Sequence, residues 1–340
     1  MALGADTAVD PARWLLLVAV LLLSVVSLCL GQEWISPWRV ISLPFAEPDS
    51  VTAVIVREIR LPRTLIAVIA GISLGVSGAA MQGLLQNPLA SPGLVGSASG
   101  AALGAVLALY FFAGSWHPQS VPMAGMLGAL LTTGLVYFLA GSDSSVSTLI
   151  LAGVAINALA GATLSLLLNL APSPFAVQEL VLWTLGDLSD RSFRDLWVML
   201  PCTVAGWLLL CGTGRALDAM TLGERTARSM GINTSMTSWR IFIAVSLCVG
   251  AAVATTGMIG FIGLVVPHLM RPLAGHQPGK LLLLAALGGA VMLLAADIGV
   301  RLIALHSALP VPLKVGVLTA LVGAPFFLLL ILRSRRQYLQ

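Results

Sequence analysis

RLPRTLIAVIAGISLGVSGAAMQGLLQNPLASPGLVGSASGAALG, residues Arg60–Gly104, is the stretch on which the fold turns. A positive collar, Arg57, Arg60 and Arg63, leads into a long uncharged run. That run is not uniformly apolar. Gln82, Gln86, Asn87, Pro88 and Pro92 lie between two helices' worth of hydrophobic sequence, and Gly or Ser recurs every few positions. A simple anchor has no use for amides and helix breakers at membrane depth, where they are tolerated only against protein or a water-filled cavity. The stretch reads as the lining of a pathway.

Working outward, the composition sets the class. Charged residues are 9% and hydrophobic residues 58% of 340 positions, and the mean hydropathy is +0.98; soluble domains carry about 25% charged residues. Residues 64–142 contain no Asp, Glu, Lys or Arg, and neither do residues 144–178. Each run far exceeds the ~20 residues that cross a bilayer. The chain is an all-α, polytopic membrane protein. Cys29, Cys202, Cys211 and Cys248 fall singly in apolar segments, with no ligand-like clustering for a metal or a disulfide framework. The net charge of +4 is scattered over short loops, which speaks against nucleic-acid binding.

The first apolar run is Trp14–Leu30. Its leader (Asp6, Asp10, Arg13) is not basic and no small-x-small cleavage site follows, so it is expected to remain as a helix. Trp34 and Trp38 suit an interfacial belt. Further spans are expected at Thr64–Leu85, Leu94–Phe112, Pro122–Ala140, Thr148–Leu170, Leu196–Gly212, Leu281–Ala304 and Val315–Leu332. Trp239–Arg271 is too long for one helix and short for two, with Gly257 and Gly260 as breakpoints, so hydropathy leaves nine or ten spans. With ten spans and a cytoplasmic N-terminus, ten Lys/Arg fall inside and eight outside. The positive-inside rule favours that orientation weakly and leaves the outer arginines to be explained.

Two loops are informative. In Arg215–Arg240, Thr221-Leu-Gly-Glu224 fits a capping box and Gly231 falls where a left-handed cap belongs, predicting a helix over Leu222–Met230. Leu222, Ala227 and Met230 then stand beside Glu224, Arg225 and Arg228. Such a helix either lies on headgroups or docks a cytoplasmic partner; an anchor would carry larger aromatics. In Ala171–Arg194 the pattern predicts a short amphipathic helix, Phe175–Leu185, at the outer mouth.

Taken together, RLPR (Arg60–Arg63), NPLASPGLVG (Asn87–Gly96), LILAG (Leu149–Gly153), LGERTARSMG (Leu222–Gly231), GMIGFIGLVVPHLMRPLAG (Gly257–Gly275), ADIGVR (Ala296–Arg301) and VGVLTALVGAPFF (Val315–Phe327) resemble the FecCD-type permeases of type II ABC importers. The likeness runs over essentially the whole chain. Members of that family import iron–siderophores, haem or vitamin B12. The resemblance implies about ten helices as two inverted five-helix repeats (approximately 13–171 and 195–333) in one permease domain over 1–340. It also implies a cytoplasmic coupling-helix loop at 213–240, two ATPase subunits, a periplasmic binding protein and a second permease copy. It places the chain in a bacterial inner membrane, among its lipids, with both termini cytoplasmic. The chain departs from the family pattern at Ala308–Gly316, where Lys314 stands near the outer mouth.

By the same resemblance, Arg60, Arg63 and Arg301, helped by Arg57, would dock the binding protein; the plainer reading of Arg301 is a pair with Asp297 one turn earlier. Leu222, Gly223, Glu224, Arg225, Ala227 and Gly231 would couple to the ATPase. Gln82, Asn87, Pro88, Leu89 and Ser147 would lie at the inner gate or pathway, against the plainer reading of a helix–helix turn. Gly71, Gly75 and Gly78 form a ridge for close helix packing. No phosphate-binding GxxxxGK[ST] or nucleophile elbow occurs, so the subunit is expected to need no cofactor and to leave ATP hydrolysis to others. The expected cargo is an iron chelate, with cobalamin as the alternative. An ion-coupled transporter using Asp297 is the competing class.

Overall fold

The arginine collar does not end a loop; it sits inside a helix. The computed structural model describes residues 11–46, 50–112, 120–141, 146–171, 173–307 and 312–338, and every regular element among them is helical. Helix α1 (Pro11–Cys29) and a short α2 (Pro37–Ala46) precede α3 (Val51–Val54). The latter continues through a π-helical stretch, Ile55–Arg60, into α4 (Leu61–Leu84). A 3₁₀ turn (Pro92–Val95) leads to α5 (Ser97–Phe112), α6 (Ser120–Ala140), α7 (Val146–Asn169) and α8 (Pro174–Thr184). Then come α9 (Phe193–Leu210), α10 (Gly214–Met220), α11 (Glu224–Ser229) and α12 (Thr234–Thr256). The series ends with α13 (Ile262–Met270), α14 (Pro278–His306) and α15 (Val315–Tyr338).

Seven of these helices are long and apolar enough to cross a membrane, the longest running unbroken over Val51–Leu84 for 34 residues. At 1.5 Å per residue that is about 51 Å, well beyond a ~30 Å hydrocarbon core, so its collar end projects from the membrane. Two shorter apolar helices, Ser97–Tyr110 and Val315–Leu329, and the nine-residue α13 complete the ten expected. Helix α13 is only about 13 Å long and traverses roughly half the core.

Helix α4 is the axis of the packing. Its glycine ridge lets neighbouring backbones come close. A Cβ on Gly71 would lie 2.7 Å from Ala290 Cα on α14, and one on Gly78 2.7 Å from Gly263 Cα on α13. Around it stand α9, α12, α13 and α14, while α1 and α7 keep most of their apolar surface exposed.

The Trp239–Arg271 ambiguity resolves at Gly257. The chain leaves α12 there with φ +73° and re-enters helix after Phe261, itself left-handed at φ +66°. The break is knitted to two other segments: Asp187 N–H donates to Thr256 O at 2.7 Å, and Gly316 N–H donates to Gly186 O at 3.1 Å. The loop after α8, the break in α12–α13 and the start of α15 thus form one junction. Lys314 donates to Asp187 within it.

Candidate functional site

At the collar end, helix α1 stops with carbonyls that its own backbone cannot serve. Every one of its last four finds a donor. Val26 O takes Leu30 N–H, Ser27 O takes Arg301, and Leu28 O and Cys29 O take Arg60 at 2.9 and 2.8 Å. Arg60 also reaches Glu33 O. Gly31 makes room for this guanidinium, since a Cβ there would lie 2.7 Å from Arg60 Cζ. Cations at a helix C-terminus also complement its dipole.

Arg63 and Arg301 share one carboxylate. Asp297 is fully buried; Arg63 Nη2 donates to its Oδ1 at 2.7 Å and Arg301 Nη2 to its Oδ2 at 2.6 Å. Arg301 also donates to Ser27 Oγ. The plainer reading of Arg301, a pair with Asp297, is met, and the three arginines expected to dock the binding protein also hold the fold: Arg60 is 8% exposed, and the Arg63 and Arg301 side chains 15% and 12%. Arg57 alone of the four is open, its side chain 72% exposed beside Glu58. The buried three still line one side of a cavity of about 680 Å³ at this end.

At the other end of α4, the turn that follows is held residue by residue. Gln86 sits in the left-handed region at φ +46°. Gln86 N–H donates to Gly83 O and Asn87 N–H to Gln82 O, the paired bonds of a Schellman ending in which Gly is the usual occupant. Asn87 Oδ1 accepts from Leu89 N–H at 2.9 Å, closing the turn through Pro88. Gln82, 2% exposed, donates to Leu264 O and accepts from Arg271 Nη2 at 2.7 Å. Ser147 falls in the first turn of α7, and its side chain lies outside the described residues. Asn157, farther along α7, donates to Gly93 O at 2.9 Å and accepts from Ser99 at 2.5 Å, fixing α7 to the turn.

Next to this turn stands the α10–α11 knob. The capping box expected at Thr221–Glu224 does not form. Thr221 ends α10 and its hydroxyl donates to Asp218 O at 2.6 Å, while the next helix starts from Gly223 at φ +98°. The helix expected over Leu222–Met230 is α11, starting two residues later at Glu224, and a second helix, α10, precedes it across Gly223. Gly231 does take the left-handed cap, at φ +83°, with Gly231 N–H on Arg228 O and Ile232 N–H on Ala227 O. Glu224 accepts from Arg228 at 2.8 Å and from Thr234 at 3.0 Å, bracing α11 on α12. Ala227 is buried, whereas Leu222 and Met230 are 63% and 59% exposed, and Arg225 is exposed beside them. The side chain of Gln86 donates to Met220 O, the last residue of α10. One hydrogen bond thus ties the knob to the turn at the end of α4.

Two features here escaped the sequence. Gln86 looked like one polar residue among several, because its left-handed backbone leaves no local signal. Asn157 was detectable only as a lone amide in an uncharged helix.

A membrane bundle with a knob exposed at one end, and with that knob hydrogen-bonded to the turn that follows its central helix, has the layout of a transport permease on which another protein acts. Residues 16–333 match the FecCD transport family, and the chain belongs to it. It is 41% identical over 295 residues to the uncharacterised ABC transporter permease protein YvrB of Bacillus subtilis (strain 168), covering 85% of this chain and 81% of that one. It is 38% identical over 325 residues to the vitamin B12 import system permease protein BtuC of Vibrio cholerae serotype O1, covering 95% and 94%. A solved structure described as an inward-facing conformation of a metal-chelate type ABC transporter superposes with a TM-score of 0.82 at 28% identity, over 94% of this chain and 98% of that one. The protein is an ABC importer permease subunit, and its family implies ATPase and binding-protein partners.

Proposed function

We propose that this chain carries a metal chelate across a bacterial inner membrane by ATP-driven alternating access, working as a homodimer with two ATPases. Cargo is delivered by a periplasmic binding protein at the collar end and released at the end bearing α10 and α11, where both termini also lie. The observation that carries this reading is the Gln86–Met220 hydrogen bond. A push on the knob reaches the Asn87–Leu89 turn through it, without passing through a flexible linker.

The second copy packs beside α7 and α15, whose exposed Leu151, Leu166, Leu321 and Leu328 need a partner or lipid. A long helix, a break in the α-helical path and a following shorter helix occur twice, at α4–α5 and at α12–α13. This supports two inverted repeats over approximately 13–171 and 195–333. On the outer face, Arg57 is the direct contact for an acidic binding-protein lobe, and Arg60, Arg63 and Arg301 act by holding that face in shape.

An iron chelate, ferric siderophore or haem, is the primary cargo. Cobalamin is the second reading, favoured by likeness to the vitamin B12 permease over nearly the whole chain. Uptake into proteoliposomes holding the permease, its ATPase and its binding protein tests both. Labelled chelate is expected to accumulate only with ATP, to stop with vanadate and to ignore an uncoupler. Accumulation that collapses with the uncoupler and persists without the ATPase would replace this reading with an ion-coupled carrier. Accumulation of cobalamin alone would select the second cargo.

A further inference from the structure

A second cavity, of about 790 Å³, opens at the coupling end on the flank of the bundle, away from α7 and α15. It lies within the 300–1,000 Å³ usual for small-molecule sites. Its upper wall is apolar: Ile72 of α4, Trp207 of α9, and Leu283 and Ala286 of α14. Its mouth is cationic, with Arg215 at the start of α10 and Lys280 in the first turn of α14. Both are exposed and pair with no acidic side chain among the described residues. Arg13 of α1 lines the same mouth.

The one carboxylate present, Asp218, is engaged elsewhere: it accepts from Gly279 N–H at 2.7 Å. Trp207 is likewise fixed, donating its indole N–H to Ser73 Oγ at 3.2 Å. The floor is stiff. A Cβ on Gly214 would lie 3.0 Å from Gly279 Cα, so α10 meets α14 backbone to backbone. Apolar walls a turn or two deep, under a ring of cations at the starts of α1, α10 and α14, reproduce the order of an acyl chain and its headgroup. Basic pockets between spans on the cytoplasmic side recognise anionic headgroups in this way.

We propose that this cavity binds an anionic diacyl phospholipid of the inner leaflet. Its phosphate meets Arg215 and Lys280, and its acyl chains lie along Ile72, Leu283 and Ala286. The inference rests on the reading above only in taking the α10–α11 end as cytoplasmic.

The test is lipid retention by the full-length permease purified in detergent, read by native mass spectrometry. The probes are phosphatidylglycerol and phosphatidylcholine with identical chains. Phosphatidylglycerol is expected to be retained preferentially. The double variant Arg215→Gln, Lys280→Gln should weaken it on the order of ten- to thirtyfold, from about one headgroup attraction lost per cation. Leu283→Trp, which narrows the apolar wall without changing charge, should weaken both lipids. Arg194→Gln, an exposed cation in the first turn of α9, should change neither. Equal retention of the two lipids would overturn the proposal, as would an unchanged double variant or release of lipid by excess inorganic phosphate. Retention is measured without ATPase, so failure of ATP-driven uptake would sink the importer reading and leave this one standing.

Discussion

With Arg63 on one side and Arg301 on the other, the fully buried Asp297 carboxylate is shared by two guanidinium groups. Removing one member of a buried pair leaves the other charge uncompensated, at a cost of about 3–5 kcal/mol. Asp297→Asn is therefore expected to lower the thermal unfolding midpoint of the purified protein sharply. An ion-coupled carrier would instead keep its stability and lose only coupling, so the midpoint separates the two classes. Gln86 makes the opposite kind of prediction. Its left-handed backbone costs about 1–2 kcal/mol, while its bond to Met220 contributes about 0.5–1.5, so Gln86→Gly should be nearly neutral in stability. ATP hydrolysis in the reconstituted importer should nevertheless run on without transport. A variant that stayed coupled would show that the knob drives the turn by another route. At this scale the sequence was a partial guide. It flagged the arginines as a group, yet an arginine that seals a helix end and one that meets a partner look alike in a linear chain. What separates them is Gly31, placed where Arg60 must lie.

Elements were more legible, because their signals are local and repeat. The uncharged runs gave the spans, Gly257 gave the break, and Gly231 gave the end of α11. The capping box misled for a physical reason: a Ser/Thr-x-x-Glu pattern carries no information about a preceding helix, and α10 takes Thr221 for its own end. The junction of α8, α12 and α15 was invisible, since it joins residues far apart in the chain. It carries a pH signature. Burial pushes the Asp187 carboxyl up, but Lys314 and the Ser189 N–H and hydroxyl outweigh that and leave its pKa below the ordinary value. A depressed carboxylate stabilises the fold above its unfolded pKa of about 3.9 and loses that contribution as pH falls through the lower folded value. The melting midpoint should thus be insensitive to this pair from pH 5 to 8 and fall below about pH 4. Lys314→Met should flatten that acid limb; an unchanged limb would assign it to other carboxylates.

For the molecule as a whole, the family likeness and the fold agree on a permease, and the division of labour between its ends follows from what is exposed. At the collar end Arg57 is exposed while Arg60, Arg63 and Arg301 are largely engaged within the protein, whereas Leu222, Arg225 and Met230 are exposed at the end bearing α10 and α11. Arg57→Glu is expected to weaken binding-protein affinity several-fold, read by titration onto the reconstituted permease, with an unchanged melting midpoint. Unchanged affinity would move the contact elsewhere on that face. Reversing Arg60 and Arg63 together should destroy the fold instead of merely the docking. Arg225→Trp should enlarge the exposed knob and uncouple ATP hydrolysis from uptake while α11 keeps its Gly231 cap; normal coupling there would count against the knob as the ATPase contact.

The sealing of α1 also has a history in time. Ser27 is bonded by Arg301, 274 residues later in the chain. At ribosomal speeds of about 5–20 residues per second, that partner emerges some 14–55 s after the helix it completes. Until then, water or lipid headgroups must serve the Ser27 carbonyl at the end of α1. The first span of this protein is thus among the earliest made and the last to be finished, and a chain cut short before α14 leaves it open.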